Sequence, residues 1–450
     1  MLRRILTAVL SLTLRIFFRR IEVNGLEHVP LTEPVIFVLN HPNALVDPIF
    51  LLCLAPRKVS FLAKAPLFRM PVIGYLVRAM DALPVYRKQD AGEDTSRNRE
   101  TFEMARALLK RGGTIAICPE GVSHDEPRLR PLKTGAARIA LSAESSGKPL
   151  GLKIVPAGLY YTAKKSFRSS ALLHFGAPLA VEPVALDENG EPARASVRAL
   201  SDRIECALRL VMLDAQHEEA LQTISRAERI FSSSEEQSAG TEQTLTRELR
   251  LRRRFVEGYA WLLARAPERL AELDARMRRY EAELRQAGVD PEDLSAPLSS
   301  KFQIAGHLIS RLLLFLLLFP FANFGLLIHF PAYKLAGYFA VRFSANSDDV
   351  VSTIKIIAAM LLFPLTWMTI ALLCYFRFGW LLAAVALLFM PFAGYAAVRF
   401  NEKFDQFIGG ARAVVYFITR RRFFLQLLAE RNAIRKEILT LVDEAAREAS

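Results

Sequence analysis

The sequence predicts an α/β fold: a layered domain with a mixed sheet and flanking helices, joined to a helical insert and a C-terminal transmembrane helical region. Three observations carry this. Over residues 21–180, short β-rich runs alternate with helix-patterned segments, the pattern of a sheet covered by helices. Residues 356–376 and 380–398 are apolar runs without a formal charge, each near the ~20 residues a helix needs to cross hydrocarbon. A mean hydropathy of +0.20 coexists with a net charge of +13, a pairing that suits contact with anionic membrane, anionic substrates or both.

Taken in order, residues 1–20 carry five Arg and no acid among Leu, Ile, Val and Phe. The apolar run is too short to span and no small-residue cleavage site follows, so the segment reads as an interfacial amphipathic helix on anionic lipid. Residues 21–215 form the α/β domain. Strands are expected at 34–39, 58–63, 82–87, 114–121 and 151–162, with helices at 96–113, stopped by Gly112-Gly113, and at 133–144. Residues 216–300 form a charged helical insert, with Leu262, Leu263, Leu270 and Leu273 at helical spacing and a flexible loop near 232–243. The membrane region is 301–398. Within it, 312–341 is re-entrant or spanning, broken at Pro320 and Pro331, and 356–398 is a helical hairpin turning at Arg377-Phe378-Gly379. Residues 399–450 form a basic helical tail whose Arg clusters place it in the cytoplasm.

The chemistry-bearing residues gather at strand ends. His41 and Asp47 lie just after the 34–39 run, in Asn40-His41-Pro42-Asn43-Ala44-Leu45-Val46-Asp47. A carboxylate that fixes an imidazole tautomer makes a general base near neutral pH; the alternative is a helix N-cap role for Asp47 and a turn role for the motif. Glu120 and Gly121 lie where the 114–121 segment runs from strand into a turn, with Ser123 and His124 close behind. Arg87, Arg128, Arg130 and Lys133 offer cations for an anionic group, although any one of them is as readily a surface ion-pair partner. The four cysteines are widely separated, which argues against zinc or a disulfide framework. Base-stacking aromatics do not interleave with the basic runs, so nucleic acid is not expected as a partner. A phosphohydrolase metal site built on His41 with His124-Asp125 would need a further His–Asp cluster that the region does not offer.

At these residues the sequence resembles the glycerophosphate and lysophosphatidate acyltransferases, most closely the fungal-type glycerol-3-phosphate/dihydroxyacetone-phosphate enzymes and their bacterial relatives. The matching blocks are 40–48, 82–87, 118–141 and 154–161, in the family's order. The resemblance implies that His41 acts as general base on the acceptor hydroxyl and Asp47 orients it. It implies that Arg87, Glu120, Gly121, Ser123 and Lys133 bind the acceptor, and that Pro156 lies on the acyl-donor side. The His–Asp spacing is one residue longer than the family's usual one; the resemblance to the fungal-type branch implies that this branch shares the longer spacing, without which the His–Asp contact would be in question. The implied reaction moves a fatty acyl group from acyl-CoA or acyl carrier protein to glycerol-3-phosphate or dihydroxyacetone phosphate. No cofactor is expected beyond that co-substrate. Lysophosphatidate or another lysophospholipid remains open as acceptor, and so does a catalytically inactive lipid-binding protein. The implied setting is an integral membrane protein in contact with membrane lipid, its site on the cytoplasmic face (the inner membrane, in a bacterium).

Overall fold

A computed structural model describes residues 2–213 except 89, 91, 125 and 127, residues 223–231 except 224 and 228, and residues 245–287, 301–344 and 350–449. The chain divides into two compact units, one of Met1–Asp214 with Phe343–Ile356 and one of Ala215–Arg342 with Ile357–Ser450.

The first unit is built on an eight-stranded sheet. Its strands are β1 (Arg20–Asn24), β2 (Val35–Leu39), β3 (Ser60–Lys64), β4 (Leu83–Val85), β5 (Thr114–Ile117), β6 (Lys153–Tyr161), β7 (Ser170–Phe175) and β8 (Leu179–Ala180). The order is β1-β7-β6-β2-β5-β3-β4, with β8 beside β6. β7 and β8 run antiparallel to β6, and the remaining pairs are parallel. The strands expected at 34–39, 58–63, 82–87, 114–121 and 151–162 are thus present, each slightly shorter than its apolar run. β2 is apolar throughout and wholly buried, as a strand covered on both faces must be.

The two faces carry different helices. Ile36, Val38, Ile115 and Ile117 pack with Ala105, Leu109, Ile139 and Leu208. These last come from α5 (Asn98–Lys110), α6 (Gly135–Ser145) and α7 (Arg194–Arg209). On the other face Phe37 meets Phe175, and Phe50 meets both Phe18 and Tyr161; Phe50 belongs to α2 (Val46–Leu54). α3 (Ala65–Arg69) and α4 (Pro71–Ala79) follow β3. From β2 the chain crosses by α2 to β3, on the far side of β5. From β5 it crosses by α6 to β6, on the opposite side of β2. The chain therefore leaves these two adjacent strands in opposite directions and opens a crevice at their C-terminal ends, where ligands of such sheets bind.

The N-terminal helix α1 (Leu2–Phe17) buries Leu14 and Phe17. Its Leu2, Ile5, Val9, Leu12 and Ile16 are all more than 40% exposed. That 3–4 spacing makes a single apolar stripe facing outward, as expected of a helix that lies on lipid.

In the second unit, the 216–300 stretch is helical over Leu245–Arg265 and Pro267–Ala287. Leu262, Leu270 and Leu273 are buried, in a core shared with Leu427, Ile434 and Ile438 of the Arg421–Ala449 helix; Leu263 stays exposed. Arg276 bridges Glu430 (2.6 Å) and Glu437 (2.7 Å) on that helix. The loop expected near 232–243 lies outside the described residues.

Residues 312–341 lie inside one helix, Lys301–Phe343, which runs through Pro320 and Pro331 without the break a re-entrant pair requires. Three helical stretches are long and apolar enough to cross a membrane: Leu318–Phe343, Val351–Phe378 and Trp380–Phe404. The last two follow one another through Gly379, the expected hairpin turn. The first and third of these stretches meet closely: a Cβ on Gly325 would lie 2.1 Å from the Ala393 carbonyl oxygen, and one on Gly394 would lie 2.9 Å from the His329 ring. His329 Nε2 accepts from Trp367 Nε1 (2.8 Å) while Nδ1 bonds the Gly325 carbonyl (2.7 Å), so a polar ring in an apolar stretch is fully satisfied.

Gly158 in β6 has the same demand. A Cβ there would lie 2.0 Å from the Val211 carbonyl oxygen. Gly158→Ala should destabilise the first unit by roughly 1–3 kcal/mol through overpacking, read as a lowered midpoint in thermal or denaturant unfolding.

Candidate active site

The crevice at the ends of β2 and β5 holds the expected pair. His41 leaves β2, and Asp47 sits in the first turn of α2. His41 Nδ1 lies 2.9 Å from Asp47 Oδ2, so the longer spacing does not separate them. The extra residue is absorbed in the intervening loop, where Ala44 takes a positive φ of 35°, a backbone region that costs a non-glycine residue energy. The same loop turns the Asn43 amide onto Asp47 Oδ2 at 2.7 Å.

Asp47 is completely buried. A buried carboxylate must be saturated with donors to remain ionised, and a third arrives from across the sheet: Tyr161 Oη donates to Asp47 Oδ1 at 2.6 Å. Tyr161 ends β6 and closes the last motif block. Burial, and then the Asp47 charge, hold its phenol pKa well above the usual tyrosine value, so it remains a proton donor to Asp47. The strand ends are fastened beside it: Asn40 Nδ2 donates to the Leu159 carbonyl (3.0 Å) and Asn40 Oδ1 accepts from Leu159 N (2.7 Å).

With Nδ1 facing Asp47, Nε2 of His41 is the ring nitrogen turned away from the carboxylate. Burial opposes charging the ring, but the neighbouring Cys118 and the Asp47 carboxylate favour it and prevail, so the His41 pKa lies well above the usual histidine value. Cys118 begins the second loop, in which Gly121 N returns to the Cys118 carbonyl (3.0 Å). Gly121 has φ +73°, and a Cβ there would come within 2.7 Å of Lys133 Nζ, so the position requires glycine twice over. The His124 amide donates to the His41 carbonyl (3.2 Å) and stitches the two motif loops together.

Glu120 is buried and faces His124 Nε2 (2.5 Å). The same oxygen, Oε2, accepts the Arg130 amide (2.8 Å), while Oε1 is buried without a hydrogen-bond partner. Ser123 is half-buried in the same loop, and Lys133 is exposed. Arg87 follows β4 and donates to the Gly121 carbonyl (2.8 Å) and twice to Asp90 (2.8 and 2.7 Å). Arg128 and Arg130 instead pair with Glu126 at the surface. Pro156 lies mid-strand in β6, opposite Val38, with its carbonyl taken by Gly176 N (2.9 Å). The structure thus gathers His41 and Asp47 on the β2–α2 connection, Glu120, Gly121, Ser123 and Lys133 on the β5–α6 connection, and Arg87 on the segment after β4, bonded to Gly121, and leaves Pro156 inside the sheet.

Four participants escape a reading of the sequence alone: Tyr161, Asn43, Cys118 and Asp90. Tyr161 carried one signal, its place at the end of a motif block. Beneath the His41 loop, Lys164 Nζ donates to the Pro42 carbonyl (3.0 Å). The Lys164 and Lys165 carbonyls in turn accept from Ser352 Oγ and Lys355 Nζ, within the same unit.

Tyr161→Phe removes one donor and leaves Asp47 Oδ1 buried and unpaired. It should cost about 1–3 kcal/mol of stability, measurable as a shift in the unfolding midpoint.

Two family profiles match the chain: Acyltransferase over residues 20–160, and the glycerol-3-phosphate acyltransferase 2 C-terminal domain over 227–449. An uncharacterized acyltransferase of Schizosaccharomyces pombe is 25% identical across 88% of this chain and 73% of its own length. Glycerol-3-phosphate O-acyltransferase 1 of Saccharomyces cerevisiae is 28% identical across 78% of this chain, which spans 58% of that enzyme's length. A chloroplastic 1-acyl-sn-glycerol-3-phosphate acyltransferase of Brassica napus is 29% identical over 33% of this chain and 39% of its own. The His–Asp pair at the sheet crevice thus lies inside a segment that matches the Acyltransferase family, and the three apolar helices lie inside one that matches the glycerol-3-phosphate acyltransferase 2 C-terminal domain.

Proposed function

We propose that this protein transfers a fatty acyl group from acyl-CoA or acyl carrier protein to the hydroxyl of glycerol-3-phosphate or dihydroxyacetone phosphate. The observation that carries the reading is the 2.9 Å contact between His41 Nδ1 and a fully buried Asp47. His41 Nε2 takes the hydroxyl proton as the oxygen attacks the thioester carbonyl. The carbon–sulfur bond then breaks, and the departing thiolate takes the proton back from the imidazolium. Asp47 holds the tautomer and stabilises the transient charge. Arg87 and Lys133 meet the acceptor phosphate, and Glu120 meets the acceptor backbone. The acceptor preference rests on coverage: a glycerol-3-phosphate enzyme matches 78% of the chain, whereas a lysophosphatidate enzyme matches a third. The exposed apolar stripe of α1 and the basic residues around it support a site held at a lipid surface, on the cytoplasmic face where the water-soluble substrates are.

The test is purified protein in detergent given labelled acyl-CoA and, in parallel, glycerol-3-phosphate, dihydroxyacetone phosphate and lysophosphatidate. Transfer to a phosphate-bearing glycerol or triose is expected, and His41→Ala should lower kcat by about 10²- to 10⁴-fold. Wild-type transfer by His41→Ala would sink the mechanism.

The base works only when neutral, and its pKa is raised, so it stays protonated to higher pH. The acidic limb of kcat/KM should therefore lie above the ~6.5 of an unperturbed histidine. Cys118→Ala should move that limb downward. Direct attack needs no acyl-enzyme, so the same variant should retain transfer; complete loss of transfer with intact folding would point to a covalent route through Cys118.

A further inference from the structure

The fork of Arg87 is already occupied. Nε and one terminal nitrogen reach the two carboxylate oxygens of Asp90 at 2.8 and 2.7 Å, the bidentate geometry in which a guanidinium also takes a phosphate. The pair is mostly buried, with 19% and 13% of the side chains exposed. It is local, since the Asp90 amide closes a turn on the Arg87 carbonyl (3.0 Å). Two more cations surround it. Lys64 ends β3 in register with Val85 of β4, just before Arg87. Lys133 lies over Gly121, whose carbonyl takes the remaining Arg87 bond. Both lysine side chains belong to exposed residues. The hydrogen bonds from Arg87, with Lys64 and Lys133 nearby, hold Asp90 below the usual carboxylate range, so it is ionised at neutral pH. Glu120 does not add to this balance directly, because it is turned inward onto His124. Three cations against one carboxylate leave two positive charges, the complement of a phosphate monoester near its dianionic form.

We propose that Asp90 occupies the phosphate subsite in the free enzyme, as a carboxylate that the acceptor's phosphate must displace from Arg87. Resting on the acceptor reading above, this makes Asp90 a gating residue. A weakly bound anion or a neutral polyol cannot open the fork, whereas a dianion that also engages Lys64 and Lys133 can. Acceptor selectivity then comes from a competition inside the site as well as from the cations themselves. The geometry also allows the opposite role, in which Asp90 merely braces Arg87 for the Gly121 loop, and the two roles predict opposite signs.

The experiment titrates the full chain in detergent with inorganic phosphate and with glycerol-3-phosphate by calorimetry, for wild type, Asp90→Asn and Asp90→Ser, and measures KM and kcat for the acceptor. Removal of a competing charge should tighten phosphate binding and lower KM by roughly ten-fold. Unchanged or weaker phosphate binding by both variants would overturn the proposal in favour of a brace. So would failure of both to fold, since a displaceable carboxylate cannot be required for folding. The binding arm is independent of catalysis. Tighter phosphate binding without acyl transfer to any acceptor would sink the function but keep the gate, and transfer with unaltered binding would do the reverse.

Discussion

The site depends on one buried charge. Asp47 has no exposure to water, and a lone carboxylate in that position would be strongly disfavoured. Its donors come from three places in the chain: His41 after β2, the Asn43 amide in the loop, and Tyr161 at the end of β6, 114 residues away. Tyr161 reaches Asp47 only if β6 lies next to β2 in parallel register, and the antiparallel β6–β7 pair and the Asn40–Leu159 clasp fix that placement. The strand order therefore serves the electrostatics of one side chain, and that side chain fixes the His41 imidazole.

The second loop is organised around Gly121. A left-handed glycine lets the chain fold back on Cys118, leaves its carbonyl for Arg87, and makes room for Lys133. The amide bond from His124 to His41 joins this loop to the first. His41 and Arg87 thus hang on one hydrogen-bonded frame, the preorganisation that the proposed acyl transfer requires. The Arg87–Asp90 pair lies on the same frame, and its charge balance leaves room for a dianion.

The second unit solves a different problem. Its apolar helices have little water-excluding drive among themselves in hydrocarbon, so they close on small residues and on one satisfied polar contact, His329 with Trp367. Pro320 and Pro331 stay inside a continuous helix, as such surroundings allow. The charged insert folds differently again. Its leucines pack on the C-terminal helix, and Arg276 pairs with Glu430 and Glu437 of that helix.

Local patterns made much of this legible beforehand. β2, β3, β5 and β6 follow apolar runs, α5 and α6 follow helical periodicity, and the His41, Glu120 and Arg87 motifs fall at strand ends because ligand-binding polar groups collect there. What escaped were relations that local pattern does not encode: the Tyr161–Asp47 bond, the approach of Cys118 to His41, the capture of Arg87 by Asp90, and the continuity of the helix through two prolines. Taken by itself, the sequence determined the elements and the residue types of the site, since both depend on side-chain spacing along the chain. Only the tertiary structure decided which donors reach the buried carboxylate and which anion fills the arginine fork, because burial and hydrogen-bond geometry exist only once distant strands are side by side.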